Sequence, residues 1–392
     1  MTMEGVRFGV EGLLLFLVAG GLVYHLLCIP AVLRFTRRPR GTPSASGADW
    51  PAVTVLKPIY GLERDLLENL RSICRQDYPT YQVVLSVQRL DDPAIPLLRQ
   101  VETEFGTELV TVVVADSEPR VNGRIQNLIG GYREARHDVL VFTDSDVLHR
   151  PDYLRTIVAP LFERDVGCSN TLYRATGARS WYEKLEQLTL TGDFIVNVVF
   201  AAMTGASGFC LGASTALRRE TLEKIGGLEA LADYLVEDYE MGRRVTELGL
   251  RTAVVNYFVD TRVDLANPAA WWEHQVYWNL NTRAARPVLY TAALVTRELP
   301  CAVLFAAVRL FDPLGLAVLL GTLTLRLATM AILLGPGLRD RETLRHLPLL
   351  PVRDVLEFVA FFQALARRRF VWRGVELGLS RHGRIVPPEV AR

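Results

Sequence analysis

The chain has 392 residues and half of them are apolar, so it is long enough for two or three ordinary domains and apolar enough for a large core or a membrane region. Its 44 basic and 43 acidic side chains nearly cancel, which argues against nucleic acid as a partner. Five cysteines without metal-like spacing are expected to be small buried side chains in a reducing compartment.

The first predicted element is a membrane-spanning helix. Residues 12–33 carry no charged side chain, and this run of 22 residues, at about 1.5 Å per residue, matches a bilayer core of roughly 30 Å. Arg34, Arg37, Arg38 and Arg40 follow it, and such a cluster tends to stay in the cytoplasm. A signal peptide would carry its charges before the apolar run. We therefore expect an uncleaved anchor, with the N-terminus outside and the bulk of the chain in the cytoplasm.

Composition divides the chain into three regions. Residues 1–48 hold the anchor and a linker rich in Pro, Ser and Gly, and residues 49–286 alternate short β-rich runs with charged amphipathic stretches, which is typical of an α/β domain. Residues 287–392 are expected to form two or three spanning or interfacial helices and a basic tail. Charges interrupt these apolar segments at Arg297, Glu298, Arg309, Arg326, Arg353 and Asp354. Each is costly at that depth unless it faces protein, water or headgroups.

Strands alternate with helices in the α/β region. The predicted strands are 53–61, 81–94, 111–115 and a run from residue 139 that ends at Asp144. Such an order predicts a mainly parallel sheet, and parallel sheets bind ligands outside the carboxyl ends of their strands. Lys57, Asp92 and Asp144 are all predicted at that edge.

Two aspartates follow the buried strand VLVFT, at positions 144 and 146. One interpretation is a turn, because Asp accepts backbone N–H bonds there. The other is that Asp144 and Asp146 converge on Mg²⁺ or Mn²⁺, hard cations that prefer oxygen ligands and often share them with substrate phosphates. A sugar nucleotide supplies such a diphosphate, and the cation would stabilise the charge that develops on it.

Several long blocks occur in a familiar order: LKPIYG, QDYPTYQVVLSVQRLDDPA, NGRIQNL (122–128), TDSD, FCLGAS (209–214), GGLEALADYLVEDYEMGRRV and HQVYW (274–278). Over residues 53–286 the chain resembles the inverting, GT-A type glycosyltransferases, and more closely the ceramide glucosyltransferase family. This implies an α/β GT-A domain with a mainly parallel sheet, flanked by membrane helices. Bacterial hopanoid glycosyltransferases are similar, so the resemblance leaves the acceptor lipid open.

The resemblance also implies roles for individual residues. The implied donor-binding residues are Lys57, Pro58, Asp92, Asn127, Asp144 and Trp278, with Asp92 at the uridine. Asp144 and Asp146 would hold a divalent cation, Mg²⁺ or Mn²⁺, at the diphosphate. Asp238 would be the general base that takes a proton from the acceptor hydroxyl. The structural alternatives are a turn before Pro93 for Asp92, and ordinary N-terminal helix chemistry for Glu237 and Asp238.

The segment HQVYW departs from the family pattern. His274, Gln275 and Tyr277, together with Glu237, are assigned to the acceptor or diphosphate region. Tyr277 stands where the family has an arginine, so a bidentate fork toward phosphate is lost, and Arg283 or Arg286 could take its place. His274 is either a metal ligand or a packed helix residue.

The expected function is transfer of a hexose, most simply glucose, from a UDP-sugar to a hydroxyl of a lipid such as ceramide. The expected setting is a multi-pass membrane protein with a cytoplasmic catalytic domain, in the inner membrane if the protein is bacterial. Three alternatives stay open. They are transfer of N-acetylglucosamine or glucose to a hopanoid polyol, a processive polysaccharide synthase, and a non-catalytic membrane scaffold with a decayed site.

Overall fold

The computed structural model describes residues 3–38, 49–115, 122–372, 375–380 and 383–390. The predicted linker lies almost entirely at 39–48, outside the described residues, as does Arg40. Contacts divide the chain into two compact units. The helical unit comprises Met1–Arg37, Ala178–Met203 and Leu265–Arg368, and the sheet unit comprises Arg38–Gly177, Thr204–Asp264 and Arg369–Arg392.

Strands and helices alternate through much of the chain. The strands found in the described residues are β1 Val53–Pro58, β2 Tyr81–Val87, β3 Val110–Val114, β4 Val139–Thr143, β5 Val147–Leu148, β6 Val166–Thr176, β7 Ser214–Arg218, β8 Arg251–Arg262, β9 Arg369–Trp372, β10 Val375–Leu379 and β11 Ile385–Val386. The α-helices found there are α1 Met3–Thr36, α2 Leu66–Cys74, α3 Ile95–Phe105, α4 Gly123–Tyr132, α5 Tyr153–Val158, α6 Trp181–Gln187, α7 Ile195–Thr204, α8 Arg219–Lys224, α9 Glu237–Glu247, α10 Pro268–Ala285, α11 Pro287–Ala292, α12 Glu298–Val308, α13 Pro313–Ile332, α14 Arg341–Leu344 and α15 Leu350–Ala366. Two segments, Leu188–Phe194 and Leu333–Gly337, are π-helical.

The large sheet has the strand order β3-β2-β1-β4-β7-β6-β8-β5. The four neighbouring strands β3, β2, β1 and β4 run parallel to one another, and β6 runs parallel to β8. The pairs β4–β7, β6–β7 and β5–β8 are antiparallel. The predicted strands at 53–61, 81–94 and 111–115 are therefore present, although β2 ends at Val87, well before Asp92. β4 is buried along its whole length, as predicted, and so is β1, which is typical of strands in a parallel sheet.

Helix α4 packs against the parallel half of the sheet through one apolar face. Ile125, Leu128 and Ile129 have the i, i+3, i+4 spacing of such a face and join the same core cluster as Leu56 of β1. Gly130 permits this close packing, because a Cβ atom there would collide with Ala115 at the end of β3. This packing fixes the start of α4 beside the carboxyl ends of β1 and β4.

In the helical unit, three helical segments of the described chain are long and apolar enough to cross a membrane. They are Glu4–Thr36, Trp181–Thr204 and Pro313–Gly337. A fourth span is possible if Pro287–Thr296 and Glu298–Val308, bent by 59° relative to each other, count as one. The segment Glu4–Thr36 contains the predicted anchor.

The units differ from the predicted regions in three segments. Residues 178–203 and 265–286 pack in the helical unit although they fall inside the predicted α/β region, and residues 369–392 return to the sheet unit. Acidic and basic residues, including Lys184, Glu186 and Asp193, dilute the apolar pattern of Trp181–Thr204, whose mean hydropathy is only 1.3. The predicted C-terminal region of apolar helices and a basic tail also contains a three-stranded sheet, because strands β9 to β11 follow helix α15.

Charges inside the helical unit are paired, as the energetic argument from the sequence requires. Arg326 lies 2.9 Å from Asp354 and 3.0 Å from Asp193, and Arg353 forms ion pairs with the same two aspartates. Glu298 is 3.1 Å from His25 Nδ1. Apart from Arg353 and Asp354, which are adjacent on α15, the paired side chains come from different helical segments, so these charges link the segments to one another.

Candidate active site

The turn that follows β4 places two carboxylates at the carboxyl edge of the sheet. Val147 N donates to the carbonyl of Asp144 over 3.4 Å, which closes the turn around Asp146, and β5 then pairs with β8. Asp144 is also tied by its side chain, since its Oδ1 accepts from Arg124 Nε at 2.8 Å. The predicted turn is therefore present, and the Asp144 carboxylate is engaged in a charged contact.

Lys57, predicted at the donor, lies fully buried beneath this turn. Its Nζ donates to the carbonyl oxygen of Asp144 over 2.5 Å and lies 3.5 Å from that of Val147. Burial lowers the pKa of Lys57 to about 8, against the opposing effect of Asp146 and Asp144. The ammonium thus binds the backbone of the turn. An effect of Lys57 on a sugar-nucleotide donor would therefore be indirect, through Asp144 and Asp146.

Asp146 carries the clearest sign of concentrated negative charge. Burial and the neighbouring carboxylates of Asp144 and Glu63 raise its pKa to about 7, although Lys57 lowers it. A carboxyl group in this environment gains from a cation placed between it and its neighbours. The pair Asp144 and Asp146 therefore suits a hard divalent cation by charge and by ligand type.

The other residues predicted at the donor shape the loops after β1 and β2. Asp92 accepts from Gly61 N at 3.1 Å and from Ala94 N at 2.9 Å, so its carboxylate joins the two loops and also serves as the turn residue of the alternative interpretation. Asn127 Nδ2 donates to the carbonyl of Ile59 over 2.9 Å. Pro58 ends β1. Their donor contacts remain predictions.

Glu237 and Asp238 begin helix α9, as predicted. Asp238 Oδ2 accepts from Gly212 N at 2.7 Å and its Oδ1 accepts from Tyr239 N at 2.7 Å. Burial and the charge of Glu237 raise the pKa of Asp238 to about 7, and Arg124 partly opposes this. A half-buried carboxylate with such a pKa is suited to accept a proton near neutral pH.

Arg124 is the site residue that the sequence analysis did not single out. Its guanidinium donates to three groups on three chain segments, namely Asp144 Oδ1 at 2.8 Å, Glu237 Oε1 at 2.8 Å and the carbonyl of Gly212 at 2.6 Å. Burial opposes its charge, but the carboxylates of Asp144, Glu237 and Asp238 raise the pKa of Arg124. The local signal is in the block NGRIQNL, where Arg124 stands two residues after Asn122, a residue type that is typical of a helix start.

Asn122 fixes the start of α4. Its side-chain oxygen accepts from Arg124 N at 3.1 Å and from Ile125 N at 3.3 Å, while its Nδ2 donates to Glu237 Oε2 and to the carbonyl of Tyr234, both at 3.0 Å. One residue therefore caps α4 and anchors the chain before α9.

The C-terminal strands reach the same loop. Ile385 N donates to the carbonyl of Asp233 over 2.7 Å, and Leu235 N donates to that of Gly383 over 3.0 Å. The guanidinium of Arg384 lies 5.2 Å from the ring centre of Tyr234. The segment that leads into Glu237 and Asp238 is thus paired with the end of the chain.

Tyr173 on β6 reports that the aspartates share one environment. Burial raises the pKa of its phenol, and the charges of Asp238, Asp144 and Asp146 raise it further. Together with the contacts of Arg124, this indicates that Asp144, Asp146 and Asp238 lie in a single cluster of the sheet unit.

The predicted residues of HQVYW lie on α10 of the helical unit, which Asn267 caps by accepting from Ala270 N. His274 Nε2 accepts from Trp278 Nε1 at 2.9 Å, and its Nδ1 lies 3.1 Å from Glu186 Oε1. Both ring nitrogens thus face protein groups, which favours the packing role of His274 over metal ligation.

The neighbours of His274 are engaged in the same way. Gln275 donates to Glu186, and the Trp278 ring packs edge-on against Phe194 at 5.7 Å. Arg283, one of the two arginines considered as a substitute at Tyr277, donates to the carbonyls of Leu365 and Arg367. Acceptor or diphosphate contacts of these residues remain predictions.

The family description Glycosyl transferase family 21 matches residues 13–385. The chain belongs to glycosyl transferase family 21. Ceramide glucosyltransferase 1 of Caenorhabditis elegans is 25% identical over 215 residues, which are 52% of this chain and 44% of that protein. Ceramide glucosyltransferase of Gibberella zeae is 30% identical over 193 residues, 45% of this chain and 35% of that one. The chain thus spans less than half the length of the relatives it matches, and the predicted glycosyltransferase family is confirmed.

The fold of this family 21 chain is also that of a solved glycosyltransferase. The mannosyltransferase PcManGT from Pyrobaculum calidifontis, in complex with GDP-Man and Mn²⁺, superposes with a TM-score of 0.53 at 19% identity, over 90% of this chain and 99% of that one. The predicted GT-A class, with its parallel half-sheet and its additional apolar helices, is confirmed.

No group of three or more His, Cys, Asp or Glu side chains is arranged to hold a metal ion among the residues that the structure describes. In this family 21 chain the acidic pair Asp144 and Asp146 therefore provides only part of an octahedral ligand set. Mg²⁺ commonly keeps one or two carboxylates and completes its shell with substrate phosphates and water. The donor set is compatible with a cation that arrives with a nucleotide diphosphate.

Proposed function

We propose that this family 21 glycosyltransferase transfers a hexose, most simply glucose, from a UDP-sugar to a hydroxyl of a membrane lipid, with ceramide as the leading acceptor. The observation that carries the proposal is that Asp144, Glu237 and the carbonyl of Gly212 all accept from one guanidinium, that of Arg124, while Gly212 N donates to Asp238. It supports a site in which Asp144 and Asp146 would take a cation-bound diphosphate and Asp238 would take the proton. The ceramide glucosyltransferase relatives support the choice of donor and acceptor.

Asp144 and Asp146 would hold the divalent cation, Mg²⁺ or Mn²⁺. The raised pKa of Asp146 supports this assignment, because it reflects a concentration of negative charge that a cation would relieve. When bound, the cation would stabilise the negative charge that collects on the departing diphosphate. The solved mannosyltransferase with a similar fold contains Mn²⁺, which agrees with a divalent cation in general.

Asp238 would act as the general base. Its carboxylate takes the proton of the acceptor hydroxyl, the hydroxyl oxygen forms a bond to the anomeric carbon, and the bond from that carbon to the diphosphate oxygen breaks. The electron pair of the broken bond leaves with UDP, and attack from the opposite face inverts the anomeric configuration. The hydrogen bonds from Gly212 N and Tyr239 N hold the carboxylate in place for this step.

The apolar helices of the helical unit support a lipid as the acceptor. Three helical segments of the described chain have the length and composition of membrane spans, which supports an enzyme that works at a bilayer. The arginines after the first apolar run support a cytoplasmic catalytic domain, which in a bacterium would lie at the inner membrane. A hopanoid polyol is the second acceptor to be tested, with glucose or N-acetylglucosamine as the sugar.

The test measures UDP release by the purified full-length protein with Mn²⁺ or Mg²⁺. Donors are UDP-glucose, UDP-galactose and UDP-N-acetylglucosamine, and acceptors are ceramide and a hopanoid polyol in mixed micelles. We expect release only when donor, lipid and cation are all present, and loss of release with a chelator. Absence of release with every combination would refute transferase activity and favour the scaffold alternative, and release of UDP with formation of a growing polysaccharide would favour the synthase.

A further inference from the structure

Arg124 connects the two chemical sides of the cluster. On one side its Nε donates to Asp144, which follows β4 and belongs to the acidic pair. On the other side its Nη2 donates to the carbonyl of Gly212, and the amide N–H of the same residue donates to Asp238 Oδ2 over 2.7 Å. The path from the acidic pair to the base therefore runs through one guanidinium and the backbone of one residue, Gly212.

The arginine is itself fixed. Its backbone N–H donates to Asn122 Oδ1, which caps α4, and its third partner, Glu237, also accepts from Asn122 Nδ2. The side chain of Arg124 is only 20% exposed. An exposed ion pair contributes little, whereas a planar guanidinium shared among three acceptors in a partly buried site restricts all of them.

No single-point cation could make the same contacts. Nε, Nη1 and Nη2 each serve a different acceptor, at 2.8, 2.8 and 2.6 Å. A lysine ammonium keeps the charge but places its donors on one atom, so it cannot reproduce contacts made from three separate nitrogens. Charge and geometry can therefore be separated by one substitution.

We infer that Arg124 is a positioning residue of the proposed transfer reaction, which sets the Asp238 base relative to the acidic pair Asp144 and Asp146. This inference rests on the proposed function for its effect on rate. Its structural part, the ordering of the Gly212 loop and of the start of α9, is independent of any substrate. The residue is not assigned contact with the reacting atoms.

The test compares Arg124→Lys with Arg219→Lys in the full-length protein. Arg219 is a matched control, because it donates to the carbonyls of Ala135 and His137 at 2.9 Å and contacts Asp138, before β4 rather than after it. Two quantities are measured: kcat at saturating UDP-glucose and ceramide, and hydrogen exchange of peptides that cover 209–213 and 236–240.

We expect Arg124→Lys to lower kcat by about 10²-fold, the cost of a small misplacement of a catalytic group, with little change in the donor KM. Exchange of the two peptides should rise about tenfold, because bonds to a charged group are lost. Arg219→Lys should change neither. Glu237→Gln is the second variant, which retains the arginine, weakens one of its bonds and should produce both effects at smaller size.

Two results would overturn the inference. A loss of kcat without faster exchange would mean that Arg124 acts directly on the substrate, and faster exchange with normal kcat would mean that the ordering has no part in the reaction. If the parent protein releases no UDP with any donor and lipid, the proposed function fails by itself. The exchange data then decide the remaining part, since unchanged exchange in Arg124→Lys would also refute the ordering role.

Discussion

Asp238→Asn separates the proposed chemistry from the architecture that supports it. The substitution keeps the shape of the side chain and removes its capacity to bind the proton of the acceptor. A positioned general base contributes about 10²–10⁴ in rate, or about 3–5 kcal/mol of barrier. We therefore expect kcat to fall by at least about 100-fold, while binding of UDP with Mn²⁺, measured by calorimetry, stays near that of the parent.

The effect on stability should have the opposite sign. The pKa of Asp238 is about 7 in the folded protein and its ordinary value is 3.8, so keeping this carboxyl ionised above pH 7 costs at most about 4 kcal/mol of folding free energy. Asparagine removes that cost. It retains one oxygen for Gly212 N and loses the bond from Tyr239 N, a loss of about 1–3 kcal/mol. The variant should therefore unfold at the same temperature as the parent, or a higher one, at pH 8.

The assay uses UDP release at pH 8 and thermal unfolding in the same detergent. Asp260→Asn is the control, since Asp260 of β8 is also partly buried and accepts from Arg174 Nε of β6 at 2.6 Å. That control should lose stability and keep most of its turnover. Turnover of Asp238→Asn within tenfold of the parent would refute the assignment of the base, whatever the unfolding temperature.

Three further predictions follow from the charges. Asp238 must be ionised to accept a proton, and burial together with the charge of Glu237 raises its pKa to about 7, so a pH profile of kcat/KM should fall below about pH 7. In the metal-free protein the same raised pKa should make stability fall as the pH rises from about 4 to 7, and thermal unfolding of the parent and of Asp238→Asn over that range checks this sign. Lys57→Met removes a buried ammonium that donates to the Asp144 carbonyl and whose charge lowers the pKa of Asp146. The pH midpoint of Mn²⁺ binding, followed by electron paramagnetic resonance, should therefore move upward. An unchanged midpoint would contradict the effect of Lys57 on Asp146. Arg326→Met leaves Asp193 and Asp354 without this partner in a buried site and should cost about 3–5 kcal/mol of stability, measured by thermal unfolding. Arg309→Met, at a more exposed pair, should cost about 1 kcal/mol or less. Equal losses would refute the expectation that burial of the pair sets the cost.

Local patterns were enough to predict the parallel half of the sheet and the placement of its acidic residues. Strands β1 and β4 are short runs rich in apolar and β-branched residues, so the strands that carry Lys57 and precede Asp144 could be located from the sequence, although β1 ends at Pro58 rather than at residue 61. The start of α9 at Glu237 was also evident, because carboxylates are favoured in the first turn of a helix. In each case the determining interactions lie within a few residues of one another.

The residues that the sequence analysis missed depend on contacts between distant segments. Arg124 meets Asp144 at a separation of 20 residues, Gly212 at 88 and Glu237 at 113. The asparagine two residues before it indicates a helix start, but it does not indicate these distant partners. The same holds for Asp193, whose partners Arg326 and Arg353 come from helices more than 130 residues away, so that a segment with a charge in its middle belongs with the apolar helices. In both cases a charged side chain that reads as a solvated position in the sequence is instead the point at which separate segments are joined. Such positions follow from the requirement that a buried charge be paired, and the identity of the partner is settled only when the chain has folded.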